Sequence, residues 1–265
     1  YSSRNGYGPA SAEKSFEKYL GIDLIPRPND GGNAWCLDNI DAKEVWLPSN
    51  NFAGVTGKGV IVAVIDTGID TDHPEFRGRI YKPWDFVANN SSAEDDYGHG
   101  THVAGTIAGA KDNRGVTGVA YDAKIMPLDV FYSSGYTNGS LVAKAIRYAV
   151  DNGADVINMS LGGPQGSSET YSALQYAESK NVICVSAAGN SGRSSPGYPA
   201  GFATNYGFAV GADNIYKQLT SFSDRAGTNT RMNYVTAPGE RVFSAYLNGG
   251  YKFASGTSMA SPHVA

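Results

Sequence analysis

Asp66, His99, Asn190 and Ser258 are the residue types that acyl transfer needs, and each stands in a block rich in glycine and other small residues. That chemistry takes a hydroxyl nucleophile, a base to remove its proton, a group to orient the base and hold its charge, and donors for the developing oxyanion. Ser258 lies in SGTSMASPHVA, which reads as a loop tightening into a helix. A serine in a first helical turn sits beside free backbone N–H groups and the positive end of the helix dipole, where attack on a carbonyl is favoured. The same place suits an ordinary capping serine. Asp66 follows an apolar run in VIDTG, His99 opens GHGTHVAG, and Asn190 closes VSAAGN.

Each block admits a second meaning. Asp66 can cap a turn, and DTG also opens the active-site loop of aspartic proteases, although those need two such loops and this chain has one. His99 and His102, at i and i+3, can share one helical face as metal ligands, but no third ligand follows at suitable spacing. His102 reads better as a buried structural histidine, and His73 and His263 as hydrogen-bonded core or loop residues. Asn190 can simply hold a turn.

The elements that would position these residues alternate. GVIVAVIDTG reads as a strand buried on both faces, THVAGTIAGA as a helix, AKIMPLDVF as a strand and SLVAKAIRYAVDNG as an amphipathic helix. ADVINMSLGG, NVICVSAAGN and FAVGAD continue the strands, with a helix over SETYSALQYAESKN; the segment to Tyr246 is loop-rich with short strands. A short helix is expected over IDAKEVW, and another over SAEKSFEKYLGI. Alternation of this kind predicts an α/β fold: a three-layer, doubly wound, mostly parallel sheet with helices on both faces. In such a sheet the loops at the carboxyl ends of strands form the ligand crevice, so blocks spread along most of the chain meet at one edge.

Composition narrows the class. The chain has 265 residues, 41% hydrophobic, with a net charge of −4. Mixed charge argues against nucleic acid as a partner, and no stretch approaches the roughly eighteen apolar residues of a membrane span. Cys36, in a loop-like segment, and Cys184, in an apolar run, are too few for a disulfide scaffold, and the buried free thiol is the expectation for Cys184. Tyr1 reads as a processed end, and the chain is expected to continue beyond Ala265, which falls early in a helix. Residues 1–34 are polar and rich in Gly and Pro, as expected of an N-terminal extension (a prosegment remnant or clamp) before a catalytic domain at 35–265.

VAVIDTGID, YGHGTHVAGTIAG, INMSLGG, VSAAGN and SGTSMASPHVA together resemble the signature blocks of the subtilisin-like serine proteases, the subtilases, over Trp35 to Ala265. The chain order Asp, His, Ser is that of this family. The resemblance implies that Asp66 orients the base, His99 is the general base and Ser258 the nucleophile. Asn190 with the Ser258 backbone N–H would form the oxyanion hole; in this family one such side-chain donor contributes about 3–4 kcal/mol. Gly135, Tyr136 and Thr137, with Ser160, Leu161 and Gly162, fall where subtilases sandwich an extended polypeptide by strand addition. Ala187, Ala188, Gly189 and the SPGYPA loop are expected to line the specificity pocket, with no evident acidic residue and a broad apolar preference.

The resemblance also implies Ca²⁺. GAKDNRGV falls on the loop that wraps this ion in many subtilases, giving Glu75, Asp112 and the carbonyls of Ala110, Arg114 and Val116 as ligands; Asp30 is a further candidate whose spacing departs from the pattern. WDFVANNSSAEDDYG resembles an extra Ca²⁺ loop of thermitase-like subtilases, with Asp85, Asn90, Ser92 and Glu94 as ligands and Ala88 where an acid is usual. The alternative there is a solvated acidic loop. The resulting expectation is a secreted or periplasmic, calcium-stabilised serine endopeptidase made as a zymogen. Its partners would be a polypeptide substrate and its own prosegment or C-terminal fragment. A specialised processing protease or peptide ligase, and a silent fragment serving as a binding module, remain open.

Overall fold

The computed structural model describes residues 33–47 and 54–265. Residues 1–32, and with them the helix expected over 11–22 and Asp30, lie outside the described residues. Helices α1 (Ala34–Asn39) and α2 (Ala42–Trp46) come first, turned against each other at Asp41, which takes a left-handed φ of 56°. Cys36 therefore stands on a helix and not in a loop. It is buried beneath the domain, and Leu37, Ala42 and Trp46 pack on Val119 and Tyr121.

The centre is a seven-stranded parallel sheet in the order β2-β3-β1-β4-β5-β6-β7. Its strands are β1 (Ile61–Asp66), β2 (Trp84–Asp85), β3 (Lys124–Asp129), β4 (Val156–Met159), β5 (Ile183–Ala187), β6 (Phe208–Asp213) and β7 (Tyr234–Pro238). Helices α3 (His99–Ala108), α4 (Gly139–Asp151) and α5 (Ser168–Ser179) fill the connections. The alternation of β1 side chains divides the core. Ala63 and Ile65 pack with Met126, Leu128 and Ile157 under α4 and α5, while Val62 and Val64 pack with Ile125 beneath Val103, Ala104 and Ile107 of α3. Each buried Val or Ile contributes about 1.5–3 kcal/mol, which is why an unbroken Val/Ile run makes a central strand. The three-layer α/β fold read from the sequence is the fold observed.

Two elements were not foreseen. β2 is a two-residue edge strand, too short to carry a pattern. Past β7, β8 (Val242–Tyr246) and β9 (Gly250–Ala254) form an antiparallel hairpin, with Phe243 stacked on Tyr251. The expected apolar helix at the end is a single turn, α6 (Thr257–Ala260), that tightens into a 3₁₀ turn over Ser261–His263.

Candidate active site

Asp66 is the last residue of β1, at the carboxyl edge of the sheet, and its side chain is fully buried. Its Oδ1 accepts the Thr67 N–H at 2.8 Å and meets His99 Nδ1 at 2.6 Å; Oδ2 has no partner among the described residues. An ionised carboxylate only accepts, so Nδ1 carries the proton and Nε2 is left as a base. Burial works against a charged His99, but the charge and hydrogen bond of Asp66, with Asp95 behind, outweigh it and raise its pKa above the ordinary value. With 29% of its side chain exposed, His99 reaches the crevice.

His99 opens α3, and the start of that helix is built by residues that sequence reasoning missed. Gly98 enters with a φ of 92° and has no capping side chain of its own. Asp95 does the capping from outside: Oδ1 accepts from the Tyr97 and Gly98 N–H groups, and Oδ2 from the Thr101 N–H and hydroxyl. Thr67 links the two blocks, accepting the Gly100 N–H at 3.0 Å while donating to Asp95 at 2.9 Å. Gly100 is packed so closely on the loop after β1 that a Cβ there would collide with the Gly68 carbonyl and press on Asp66. The one signal in the sequence is an acid shortly before GHGT, in a stretch that also resembles a metal loop.

Ser258 sits in the first turn of α6, which packs against α3, and its Oγ donates to the Ser160 carbonyl at 3.1 Å. Ser160 Oγ returns a bond to the Ser258 carbonyl at 2.8 Å. Beneath them Asn158 donates to Ser160 Oγ at 2.9 Å and accepts from Ser261 Oγ at 2.7 Å, with both Asn158 and Ser261 fully buried. Asn190 Oδ1 accepts from the Thr257 N–H at 2.7 Å and the Thr257 hydroxyl at 3.0 Å, and its amide nitrogen has no hydrogen-bond partner among the described residues. The structure thus brings Asn190 and Ser258 to one cavity of 240 Å³, with Ala187, Ala188, Gly189 and Leu161 as further walls. Asp224 and Arg193 also line it, so the pocket does contain an acidic residue, contrary to expectation. An adjoining cavity of 560 Å³ is lined by Gly135, Tyr136, Thr137, Leu161 and Gly162 and shares the 161–164 wall.

The alternative readings lose their residues. Asp66 is committed to His99, and no second DTG exists to share a proton with it. His102 is buried with Nε2 between the Val242 and Lys252 carbonyls, and burial first of all lowers its pKa to about 4. His73 bridges the Glu75 N–H and the Gly250 carbonyl; His263 binds the Met259 carbonyl and is likewise lowered to about 4 by burial. Cys36 and Cys184 are free and buried, and burial pushes the Cys184 thiol up to about 12.

The two expected calcium loops differ. Glu75 is 2% exposed and has no ion pair among the described residues; Arg79 binds its main-chain carbonyl, not its carboxylate. Its oxygens accept from the Ala110 N–H (2.7 Å), the Val116 N–H (3.0 Å) and the Tyr251 hydroxyl (2.8 Å), and burial raises its pKa. A buried carboxylate with no ion pair among the described residues suits a hard cation in charge and donor type, and its oxygens meanwhile accept three hydrogen bonds. In the other loop, Asp85 Oδ1 caps the Val87 and Ala88 N–H groups and Asn90 Oδ1 accepts from Ser92 N–H, while Glu94 is spent on Thr71. No hydrogen bond ties Glu94 to Asp85 or Asn90 among the described residues. Among the described residues, no group of three or more His, Cys, Asp or Glu is placed to hold a metal ion.

The chain is thus an α/β protein whose parallel sheet carries, at its carboxyl edge, a buried aspartate bonded to a histidine, with a serine on a short helix packed against the histidine's helix. The subtilase family profile matches residues 57–265, and the chain belongs to the subtilase family of serine proteases. It is 40% identical over 210 residues to the thermitase of Thermoactinomyces vulgaris, covering 79% of this chain and 73% of that protein. It is 41% identical over 232 residues to the alkaline protease of Alkalihalobacillus alcalophilus, covering 87% of this chain but 57% of that protein. A crystal structure of a cold-adapted subtilisin-like serine proteinase superposes with a TM-score of 0.74 at 40% identity, covering 87% of this chain and 81% of that one.

Proposed function

We propose that the chain hydrolyses peptide bonds through an acyl-enzyme, with Ser258 as nucleophile, His99 as general base and Asp66 as its orienting acid. The Asp66–His99 bond of 2.6 Å, which leaves Nε2 free to accept, carries this reading. In the substrate-free chain Ser258 Oγ rests on the Ser160 carbonyl, so reaction begins when that bond is exchanged for one to Nε2. Oγ then attacks the scissile carbonyl and its proton passes to His99, which delivers it to the leaving amine; water later repeats the sequence on the ester. Asn190 Nδ2 and the Ser258 N–H receive the oxyanion. The substrate is an extended polypeptide lying between residues 135–137 and 160–162. No hydrogen bond engages the Leu161 or Gly162 backbone among the described residues, which leaves that edge open to strand addition. A phosphonylating serine reagent should inactivate the protein and label Ser258; peptide hydrolysis that survives Ser258→Ala would refute the assignment.

Ca²⁺ would be held at the Glu75 loop, with Asp112 and the carbonyls of Ala110, Arg114 and Val116, where it would neutralise the buried carboxylate. A ligand bound only to the native state adds RT ln(1 + [L]/Kd), so chelation should lower Tm measurably; an unchanged Tm removes this part of the reading. The Asp85 loop with Asn90, Ser92 and Glu94 is the weaker cation site, because Asp85 is half-buried and Glu94 exposed, whereas the Glu75 carboxylate is buried. No helix among the described residues is long and apolar enough to cross a membrane, and the family resemblance supports an exported protein.

A further inference from the structure

Asn190 is an oxyanion donor only if its main chain is held still, and the loop that carries it contains left-handed glycines at Gly189 (φ 118°) and Gly192 (φ 64°). That loop lies on residues 222–225. Three main-chain bonds dock it there: Asp224 N–H to the Gly189 carbonyl (2.8 Å), Gly192 N–H to the Phe222 carbonyl (2.8 Å) and Arg225 N–H to the Arg193 carbonyl (2.9 Å). None of them reaches Ser191, the residue directly after Asn190. The Ser191 N–H is instead taken by Asp224 Oδ1 at 3.0 Å, and the same oxygen takes the Arg193 N–H at 2.8 Å.

We propose that Asp224 is a positioning residue of the oxyanion site, its carboxylate fixing the Asn190 loop from behind while Thr257 fixes the Asn190 side chain from in front. Asp224 is 2% exposed and has no ion pair among the described residues, so its charge is met by N–H dipoles of this loop. Its Oδ2 stands against Gly189, where a Cβ would collide with it, so the carboxylate abuts the loop on both sides of Asn190. The Gly189 N–H is tied in turn to Thr257 Oγ1 at 3.0 Å. With both flanks and the side-chain oxygen held, the amide nitrogen is the side-chain group of Asn190 left without a hydrogen bond among the described residues.

This inference rests on the acyl-transfer reading, and a double-mutant cycle with Asn190 separates the two. On a peptide p-nitroanilide, Asp224→Ala should lower kcat about 10- to 100-fold with KM changed less than about threefold, because an oxyanion donor acts in the transition state and its whole loss costs about 10²–10³. Asp224→Asn keeps the accepting oxygen and should stay within about threefold of the parent. Asp224→Ala added to Asn190→Ala should cost less than about threefold more, since a residue that acts only through Asn190 has nothing left to position. If Asp224→Ala does not fold, Asp224→Glu, which displaces the acceptor and keeps the charge, should show the same loss of kcat and the same masking. Multiplicative losses, a fall in Asp224→Asn equal to that in Asp224→Ala, or an effect confined to KM for substrates with Lys or Arg before the scissile bond would overturn the proposal alone. An unchanged kcat in Asn190→Ala would overturn the acyl-transfer reading and this inference with it.

Discussion

The two walls of the crevice are held by different physics. On the Asp66 side the bonds are charged: one buried carboxylate on His99, a second, Asp95, on the start of α3, and one Asp66 oxygen with no partner among the described residues. On the Ser258 side the bonds that reach Ser258 and the Asn190 side chain are neutral, with the one carboxylate, Asp224, set behind the Asn190 loop: Asn158, Ser160, Ser261, Thr257 and Asn190 form hydroxyl, amide and main-chain bonds of 2.7–3.1 Å. The first wall sets proton affinity and the second sets geometry. A charged bond acts on its neighbours at a distance in a poorly polarisable interior, whereas a neutral bond constrains the atoms it joins.

Asp66→Asn strikes the charged wall directly and should produce the largest change, lowering kcat by about 10³–10⁴ by favouring the wrong histidine tautomer. It should also shift the pH profile. His99 must be neutral to act, and Asp66 raises its pKa, so kcat/KM of the parent should rise with pH through a value above about 6.5, the ordinary histidine pKa. Removing the charge should move that limb down; a stationary limb would show that the wall does not tune the base. Asn158→Ala tests the neutral wall. Taking the acceptor from the buried Ser261 hydroxyl and a donor from Ser160 Oγ should cost about 1–3 kcal/mol in chemical denaturation and slow kcat about tenfold. The acid limb should stay in place, and its movement would break the distinction between the walls.

The smallest effect belongs to Asp129, which ends β3 in register with Asp66 on one side and Asp85 on the other. Burial, followed by the charges of Asp85, Asp95 and Asp66, raises its pKa to about 7 against the pull of the Phe131 N–H. A carboxyl raised in the folded state stabilises when protonated. That stabilisation is full below about pH 4 and is lost as pH rises through about 7. Asp129→Asn should therefore gain on the parent in Tm as pH goes from about 4 to 8, and a gap that is constant with pH would refute the shift.

The sheet was legible because its signals are local, and the candidate site residues stand out for the same reason. An unbroken Val/Ile run can only be a buried strand, and the blocks around Asp66, His99, Asn190 and Ser258 carry the small residues that a tight crevice needs. What escaped was held by partners distant in the chain. Asn158 meets Ser261 across 103 residues, and Ser191 meets Asp224 across 33, so neither pair leaves a mark in its own neighbourhood. The hairpin of β8 and β9 is paired aromatics over short strands, a pattern a loop-rich segment hides. The segment around Cys36 reads as loop-like, whereas its helix is held by burial against the domain.

The closeness of Gly100 to the loop after β1 has a consequence for how such a chain can diverge. Even alanine is barred at that position, since the Gly68 carbonyl already occupies the space. The spacing of base and acid therefore has no single-step neighbours in sequence space. A lineage that altered it would have to rebuild both loops at once. Exposed residues away from the crevice such as Tyr216 are open to drift, but the histidine and aspartate blocks can only be inherited together.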